Sequence, residues 1–186
     1  LGAALSGGAA AAARWPCGLS TVCWSIGVVN APGLAAFAVN GLSVVDLGSG
    51  PRLAFGGMFD SAGGVATRGV GLWNGTDFES AVTSIVPGSM SGCFATTAWD
   101  DGTGEKLVAS IALPNALGGV SWGIYKYDGA TWTMIGLPFN NYANSIRVLN
   151  DGNGPALYAC GNFLTIGNQA PGRIRSPGFF LMTAAA

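Results

Sequence analysis

Acidic side chains beside paired glycines are the first groups in this sequence that could do chemistry. Residues 100–105 (DDGTGE) and 150–154 (NDGNG) gather oxygen ligands in a tight bend, as calcium-binding loops do. They lack the alternating carboxylates and distal Glu of an EF-hand loop, and the corresponding segment 46–50 keeps only Asp46. Asp-Gly and Asn-Gly are also typical of hairpin turns, whose central residues need positive φ. We therefore predict hairpin turns, with no metal site and no cofactor.

Residue sets for familiar catalytic mechanisms are missing from the sequence. The 186 residues include no His, which excludes Ser-His-Asp and Cys-His catalysis and His-ligated zinc. Asp60 and Glu79 are available as a carboxylate pair for glycoside hydrolysis, but nothing in their spacing brings them to one cleft. We therefore predict that the protein is not an enzyme.

Charge is unusually sparse. Charged residues make up 9% of the chain, against about 25% in soluble proteins, and the formal net charge is −1. Such a chain has no electrostatic footprint for nucleic acid or anionic lipid. The weakly polar stretch 1–13 is mostly Ala and Gly and is shorter than the ~20 strongly apolar residues of a spanning helix. We expect no nucleic-acid partner and no membrane span.

The four cysteines fit no metal-type spacing. Cys17 and Cys23 flank a short turn-like segment, and two strands of a hairpin there could bring their β-carbons within disulfide reach. Small buried thiols are the equally weighted alternative. Either arrangement gives only a mild preference for an exported, oxidising location.

An internal repeat is the strongest signal in the chain. Residues 50–59 align without a gap with residues 154–163, and residues 101–107 correspond to residues 151–157. A second anchor, an aromatic followed by Asn-Gly or Asp-Gly, occurs at 73–78 and again at 127–132. Three aromatics, Trp24, Phe78 and Trp132, then fall at intervals of 54 residues. Such self-similarity indicates a repeat architecture.

Each unit contains four short apolar runs separated by turn residues. In the clearest copy the runs are 93–99, 106–112, 122–127 and 131–135, each of strand length. Turn residues at 100–104 and 128–129 separate the first from the second and the third from the fourth. The unit is thus predicted to be a four-stranded antiparallel meander, with the aromatic at the start of its fourth strand wedged between units.

Four strands repeated every ~40–50 residues are typical of β-propellers. Stacked blades cover both faces of each sheet, which explains the apolar composition without a membrane. We predict an all-β fold, a β-propeller segment of about three and a half blades. The units are a partial blade 1–27 and blades 28–82, 83–136 and 137–186. The chain would then be part of a longer polypeptide or a protomer that completes its ring with another copy.

The sequence also resembles a known group of repeats. Gly56-Gly57, followed by Trp73 and Phe78, resembles the kelch arrangement of a diglycine after the second strand and two later aromatics. The G-P-x-L-x-x-x-G-x-F run with the W/Y-[DN]-G turn is similar to Gly-rich propeller repeats in exported proteins of planctomycetes and myxobacteria. The middle unit departs from the kelch pattern, with Ser110-Ile111 at the diglycine position. The resemblance implies a surface or extracellular interaction role and no particular chemistry.

We therefore expect a noncatalytic structural or protein–protein interaction module of a secreted, periplasmic or cell-surface protein. Its partner would be another protein, or further blades of the same or another chain. The alternative is a lectin-like propeller that binds glycans through amide-bearing loops. The candidate loop residues for a partner or ligand are Asp60, Asn140, Asn141, Tyr142, Asn168 and Gln169.

Overall fold

The computed structural model describes residues 13–17, 21–25, 38–81, 92–114, 119–150, 152, 154–167 and 179–183. Every element of the described residues is a β-strand. No helix among them is long and apolar enough to cross a membrane. The all-β prediction is confirmed.

The strands form a row of three antiparallel sheets, preceded by a hairpin and with a second hairpin inserted in the first sheet. The leading hairpin pairs β1 (Ala13–Cys17) with β2 (Thr21–Ser25). The first sheet is β3 (Ala38–Asp46), β4 (Pro51–Met58), β7 (Val70–Trp73) and β8 (Phe78–Ser80), with hairpin β5 (Ser61–Ala62) and β6 (Val65–Ala66) inserted after β4. The second sheet is β9 (Gly92–Asp100), β10 (Glu105–Pro114), β11 (Val120–Tyr127) and β12 (Trp132–Phe139). The third is β13 (Ala143–Asn150), β14 (Pro155–Gly161) and β15 (Phe179–Thr183).

Two of these sheets are four-stranded meanders in chain order, as the repeat predicts. In the second sheet, all but one of the predicted strand ends lie within two residues of the observed ends. The last strand of the second sheet was expected to end at Ile135, but β12 continues to Phe139, which pairs with Trp122 beyond an irregularity. Gly136 has a positive φ of 73°, so the strand bends there and pairing resumes further along.

The turn between the first two strands of each sheet has one recurring structure. In each sheet one side-chain oxygen, from Asp46, Asp100 or Asn150, accepts hydrogen bonds from the backbone N–H groups two and four residues later. Both donors are glycines with φ between 92° and 107°. A positive φ favours glycine, so the Asp/Asn-x-Gly-x-Gly spacing is what this turn requires.

The second sheet is covered on both faces. Leu107, Ala109 and Ile111 of β10 pack in one core with Val45, Ala54, Val70 and Leu72 of the first sheet. The intervening Val108, with Trp99 and Ile124, packs in another core with Ile146, Leu157 and Ala159 of the third sheet. Because alternate side chains of a strand point to opposite faces, β10 is apolar almost throughout. Stacking of sheets therefore accounts for the low charge of the chain.

Small residues on the second strand of each sheet allow the next sheet to approach. A β-carbon at Gly56 would overlap the sulfur of Cys93 on β9. At the equivalent position of the second sheet, Ser110 accepts a hydrogen bond at 3.2 Å from the backbone N–H of Ala143 on β13. The second half of the diglycine, Gly57, has no room for a β-carbon because the carbonyl of Ala38 lies against it. The middle unit thus replaces the first glycine of the pair with Ser110, which is still a small residue at the sheet junction.

Trp132, one of the aromatics predicted to lie between units, joins the first and second sheets. Trp132, at the start of β12, is buried among residues of the first and second sheets. Its indole N–H donates to the carbonyl of Ala81, just after β8. The wedge prediction is confirmed at Trp132. The described contacts of Phe78 are with Phe55 and Trp73 of its own sheet, so they do not show a wedge there. The Trp24 side chain lies outside the described residues.

The leading hairpin places Cys17 opposite Thr21 and Cys23 opposite Trp15. The hairpin expected from the Cys17 to Cys23 segment is therefore present. The side chains of both cysteines lie outside the described residues, so the disulfide and the free-thiol alternatives remain predictions.

Candidate functional site

A β-bulge recurs at the same place in the first strand of every sheet. Asn40 is the unpaired extra residue of β3, Phe94 that of β9 and Asn144 that of β13. Each bulge lies near the start of its strand, and the three residues follow the repeat spacing. A bulge bends the strand and redirects one side chain, and bulges are frequent beside functional sites.

The three bulge residues line the same cleft. A cleft of about 350 Å³ is lined by Asn40, Met58, Phe94, Tyr142 and Asn144. This volume lies within the ~300–1,000 Å³ typical of small-molecule sites. None of these five side chains carries a formal charge.

Aromatic rings form one side of the cleft. Phe94 and Tyr142 are stacked, with ring centroids 4.6 Å apart and planes inclined by 13°. Trp122 lies beside both of them, at 5.4 Å from Phe94 and 5.3 Å from Tyr142. All three rings are half-buried, so the cluster is fixed by packing while part of its surface meets solvent.

The amides beside the rings are oriented by hydrogen bonds that use their nitrogens. Asn40 Nδ2 donates to the carbonyl of Cys93 at 2.9 Å, and Asn144 Nδ2 donates to Asn162 Oδ1 at 3.5 Å. Asn162 Nδ2 in turn donates to the hydroxyl of Tyr142 at 2.8 Å. Within the described part of the chain, the Oδ1 atoms of Asn40 and Asn144 accept no hydrogen bond. The cleft therefore presents two carbonyl acceptors and one hydroxyl whose proton remains available.

Of the residues predicted from the sequence, Tyr142 is the one that lines this cleft. Asn140 Oδ1 instead accepts from the backbone N–H groups of Leu164 and Thr165, at 2.8 and 2.9 Å, and so ties two connections together. Asn141 Oδ1 accepts from the backbone N–H of Tyr142. These neighbours orient the connection between β12 and β13, which carries Tyr142 to the cleft.

Asp60 lies on a different connection, between β4 and β5, where its backbone carbonyl accepts from the N–H groups of Thr67 and Arg68. Its side chain is exposed and does not line the cleft. Asn168 and Gln169 lie outside the described residues. The six predicted loop residues are thus not brought together in the part of the chain that the structure describes, and their role in binding stays a prediction.

The other acid considered for catalysis, Glu79, is engaged in an ion pair. Its Oε2 accepts from Arg52 Nε at 2.8 Å and its Oε1 from Asn74 Nδ2 at 2.7 Å. Burial raises the pKa of this carboxyl, but the hydrogen bonds from Arg52 and Asn74 and the guanidinium charge outweigh it, so the pKa is lowered. Glu79 is therefore held as a structural anion on the outer strand of the first sheet.

A second, acidic cleft lies at the opposite ends of the first strands, beside the turns. It has a volume of about 340 Å³, and its lining includes Asp46, Glu105, Lys106 and Asp128. Backbone N–H groups of Thr131 and Ala130 lower the pKa of Asp128, and the Glu105 carboxylate accepts from the backbone N–H of Asp46 at 2.5 Å. Two of these acids also fix turns of the chain, in agreement with the hairpin interpretation.

Asn40, Met58, Phe94 and Asn144 were not singled out from the sequence. A signal for three of them exists, because Asn40 and Phe94 are 54 residues apart and Asn144 lies 50 residues further on. The spacing shows that they share a register position, but the bulge that brings them together depends on strand pairing. Their convergence therefore becomes visible only in the folded chain.

In comparisons with protein-family models, curated proteins and solved structures, nothing matches this chain. The likeness to kelch repeats stays a resemblance carried by the glycines and aromatics named above.

Proposed function

We propose that the protein is a noncatalytic structural module whose end sheets bind further sheets, of the same chain or of another protein. The observation that carries this proposal is a contrast between equivalent positions along the row. Three register positions are buried wherever a neighbouring sheet is present and exposed where none is described. Exposed apolar sheet faces of this kind favour an interaction role.

The first sheet has its open face on the side away from the second sheet. Leu42 is 59% exposed, whereas Ile146, at the same register position of β13, is 0% exposed because the second sheet covers it. Val39 is 44% exposed, whereas its counterparts Cys93 and Ala143 are fully buried. This end of the row is therefore suited to a preceding sheet.

The third sheet has its open face at the other end. Leu149 is 52% exposed, whereas its counterparts Val45 and Trp99 are buried against the next sheet. Cys160 is exposed at the position held by Gly56 and Ser110 in the covered junctions. A small residue at this position suits the close approach of a following sheet.

The interaction role implies that the partner presents a β-sheet. The first strand of that sheet would lie across β14, as β9 and β13 do at the covered junctions. Such a partner could be supplied by further blades of a propeller, by a second copy or by another protein. The exported or cell-surface location belongs to this proposal and rests on the resemblance and on the composition.

Labelling of Cys160 tests the proposal in protein isolated from its native source. We expect N-ethylmaleimide to modify Cys160 much more slowly in the native protein than in urea, read by peptide mass mapping. Leu149→Asp should restore rapid labelling, because a carboxylate on the open face opposes docking. Leu164→Asp, which places the same charge on an exposed connection, is the matched control and should leave Cys160 protected.

Rapid modification of Cys160 in the native protein would overturn the proposal. So would hydrolase or lyase turnover that is lost in Asp60→Asn or Glu79→Gln, because the module would then be an enzyme.

A further inference from the structure

We propose that the cleft lined by the three bulge residues, Asn40, Phe94 and Asn144, binds a neutral carbohydrate. The site is separate from the open sheet faces, and its ligand is a small molecule instead of a neighbouring sheet. It also differs from the loop residues considered for glycan binding, with which it shares only Tyr142.

The construction of the cleft indicates a site and not an accidental groove. Three strands from three different sheets each insert one extra residue at the same register position, and all three residues line the same space. Bulges disrupt the ladder locally, so their recurrence near the start of the first strand in all three sheets indicates a common function. Redirecting side chains toward a shared ligand is such a function.

The hydrogen-bonding groups of the cleft define the ligand as one that donates. Within the described residues, Asn40 Oδ1 and Asn144 Oδ1 accept no hydrogen bond, while their nitrogens donate to Cys93 O and Asn162 Oδ1. Tyr142 accepts from Asn162 and keeps its own proton for donation. Hydroxyl groups both donate and accept, so those of a sugar match each of these three groups chemically.

The charge and the aromatic side of the cleft exclude other classes of ligand. None of the described lining residues carries a charge, so they offer no counter-ion for a phosphate, a sulfate or a carboxylate. The half-buried rings of Phe94 and Tyr142 offer an apolar surface beside the amides. A pyranose ring has an apolar C–H face and a hydroxyl edge, and a mono- or disaccharide suits a cleft of about 350 Å³.

The binding experiment uses the intact chain with defined neutral probes. These are methyl glycosides of glucose, galactose, mannose and N-acetylglucosamine, with their disaccharides, measured by saturation-transfer NMR and by titration of Trp fluorescence. We expect binding of at least one probe, with saturation transferred from the aromatic protons of the cleft to the protons of the sugar ring. Sialylated and sulfated saccharides and a neutral peptide library are the comparison ligands, and they should bind more weakly.

Variants connect the binding to the cleft. Asn144→Ala removes one free acceptor and is expected to weaken binding about tenfold, as one hydrogen bond of about 1.4 kcal/mol would. Met58→Trp fills the rim and should abolish binding. Leu164→Ala changes an exposed residue outside the cleft and should bind as the wild type does. Circular dichroism and the urea midpoint of each variant establish that it is folded.

Three results would overturn the assignment in folded protein. They are no binding of any neutral saccharide, preferential binding of an anionic saccharide or a peptide, and binding that Asn144→Ala and Met58→Trp leave unchanged. None of these bears on Cys160 protection, so the site and the proposed sheet interactions can fail separately.

Discussion

The second sheet and the two sheets beside it use the same register positions in opposite ways. In the second sheet both faces are covered, and residues such as Trp99 and Cys93 are buried. In the outer sheets the equivalent Leu149 and Val39 face solvent. The side chains are apolar in every case, so the neighbour decides burial and not the residue type. The same unit therefore packs on both faces in the second sheet and on one face in each sheet beside it.

Cysteine reactivity gives the largest expected contrast between a covered and an open face. Burial at the junction raises the pKa of Cys93 to about 12. At pH 8 such a thiol is roughly one part in ten thousand thiolate, and thiolate is the reactive form. In the chain separated from any partner sheet, we expect N-ethylmaleimide to label exposed Cys160 fully before Cys93 shows any modification, by peptide mass mapping. Equal labelling of the two would mean that the junction between the first two sheets opens readily.

Two truncations to alanine, one on a covered face and one on an open face, are expected to lower the free energy of unfolding by different amounts. Ile146→Ala should lower it by about 2–5 kcal/mol, because it leaves a cavity between the second and third sheets. Leu42→Ala, at the same register position of the first sheet, should change it by less than about 0.5 kcal/mol. Urea denaturation followed by Trp fluorescence measures both. A large loss for Leu42→Ala would show that its face is already covered in solution.

The small residue at the sheet junction provides the next contrast. Gly56→Ala inserts a methyl group against the Cys93 sulfur and should cost about 1–3 kcal/mol, because the first two sheets must separate. Cys160→Val enlarges the equivalent residue on the open face and should be neutral within about 0.5 kcal/mol. The same urea assay measures the two variants. Equal costs would contradict the assignment of Cys160 to an open face.

The smallest expected effect concerns an ion pair that the second sheet has and the first lacks. Asp101 Oδ2 lies 2.5 Å from Lys126 Nζ. Hydrogen bonds from Lys126 and Thr103 lower the pKa of Asp101 to about 2. The first sheet has Leu47 at the equivalent turn position. Because the folded pKa lies below the ordinary 3.8, the stabilisation is complete above about pH 4 and is lost as the pH falls through 2.

Asp101→Asn should therefore lower the free energy of unfolding by up to about 1 kcal/mol at pH 6, and by less at pH 2. Urea midpoints at the two pH values measure the difference. Asp77→Asn removes another acid, in the turn before β8, and is the control. A loss that is equal at both pH values would attribute the effect to turn geometry instead of charge.

Much of the fold is predictable from the sequence because its causes are local. The Asp-Gly and Asn-Gly pairs locate the turns, the short apolar runs locate the strands, and the period of the aromatics locates Trp132 at a sheet junction. The extension of β12 was not predictable in the same way. Gly136 and Pro138 would normally end a strand, and pairing of Phe139 with Trp122 overrides that preference.

The cleft was harder to predict than the strands. Amide-bearing loops draw attention by composition, yet Asn140 uses its carbonyl oxygen to hold neighbouring backbone. Asn40 and Asn144 look ordinary in the sequence, because a bulge is a property of two paired strands and not of one segment. Tyr142 was found since it is both aromatic and next to a turn, and its partners Phe94 and Trp122 come from another sheet.

Because the turn recurs in each repeat, it has a consequence for gain of repeats by gene duplication. In each turn, one side-chain oxygen and the N–H groups of two glycines form the bonds within five residues of the same sheet. A tandem duplication of one repeat in the gene would carry its own turn with it. The inserted copy would offer one face to its predecessor and one to its successor, leaving the two terminal faces of the array chemically unchanged.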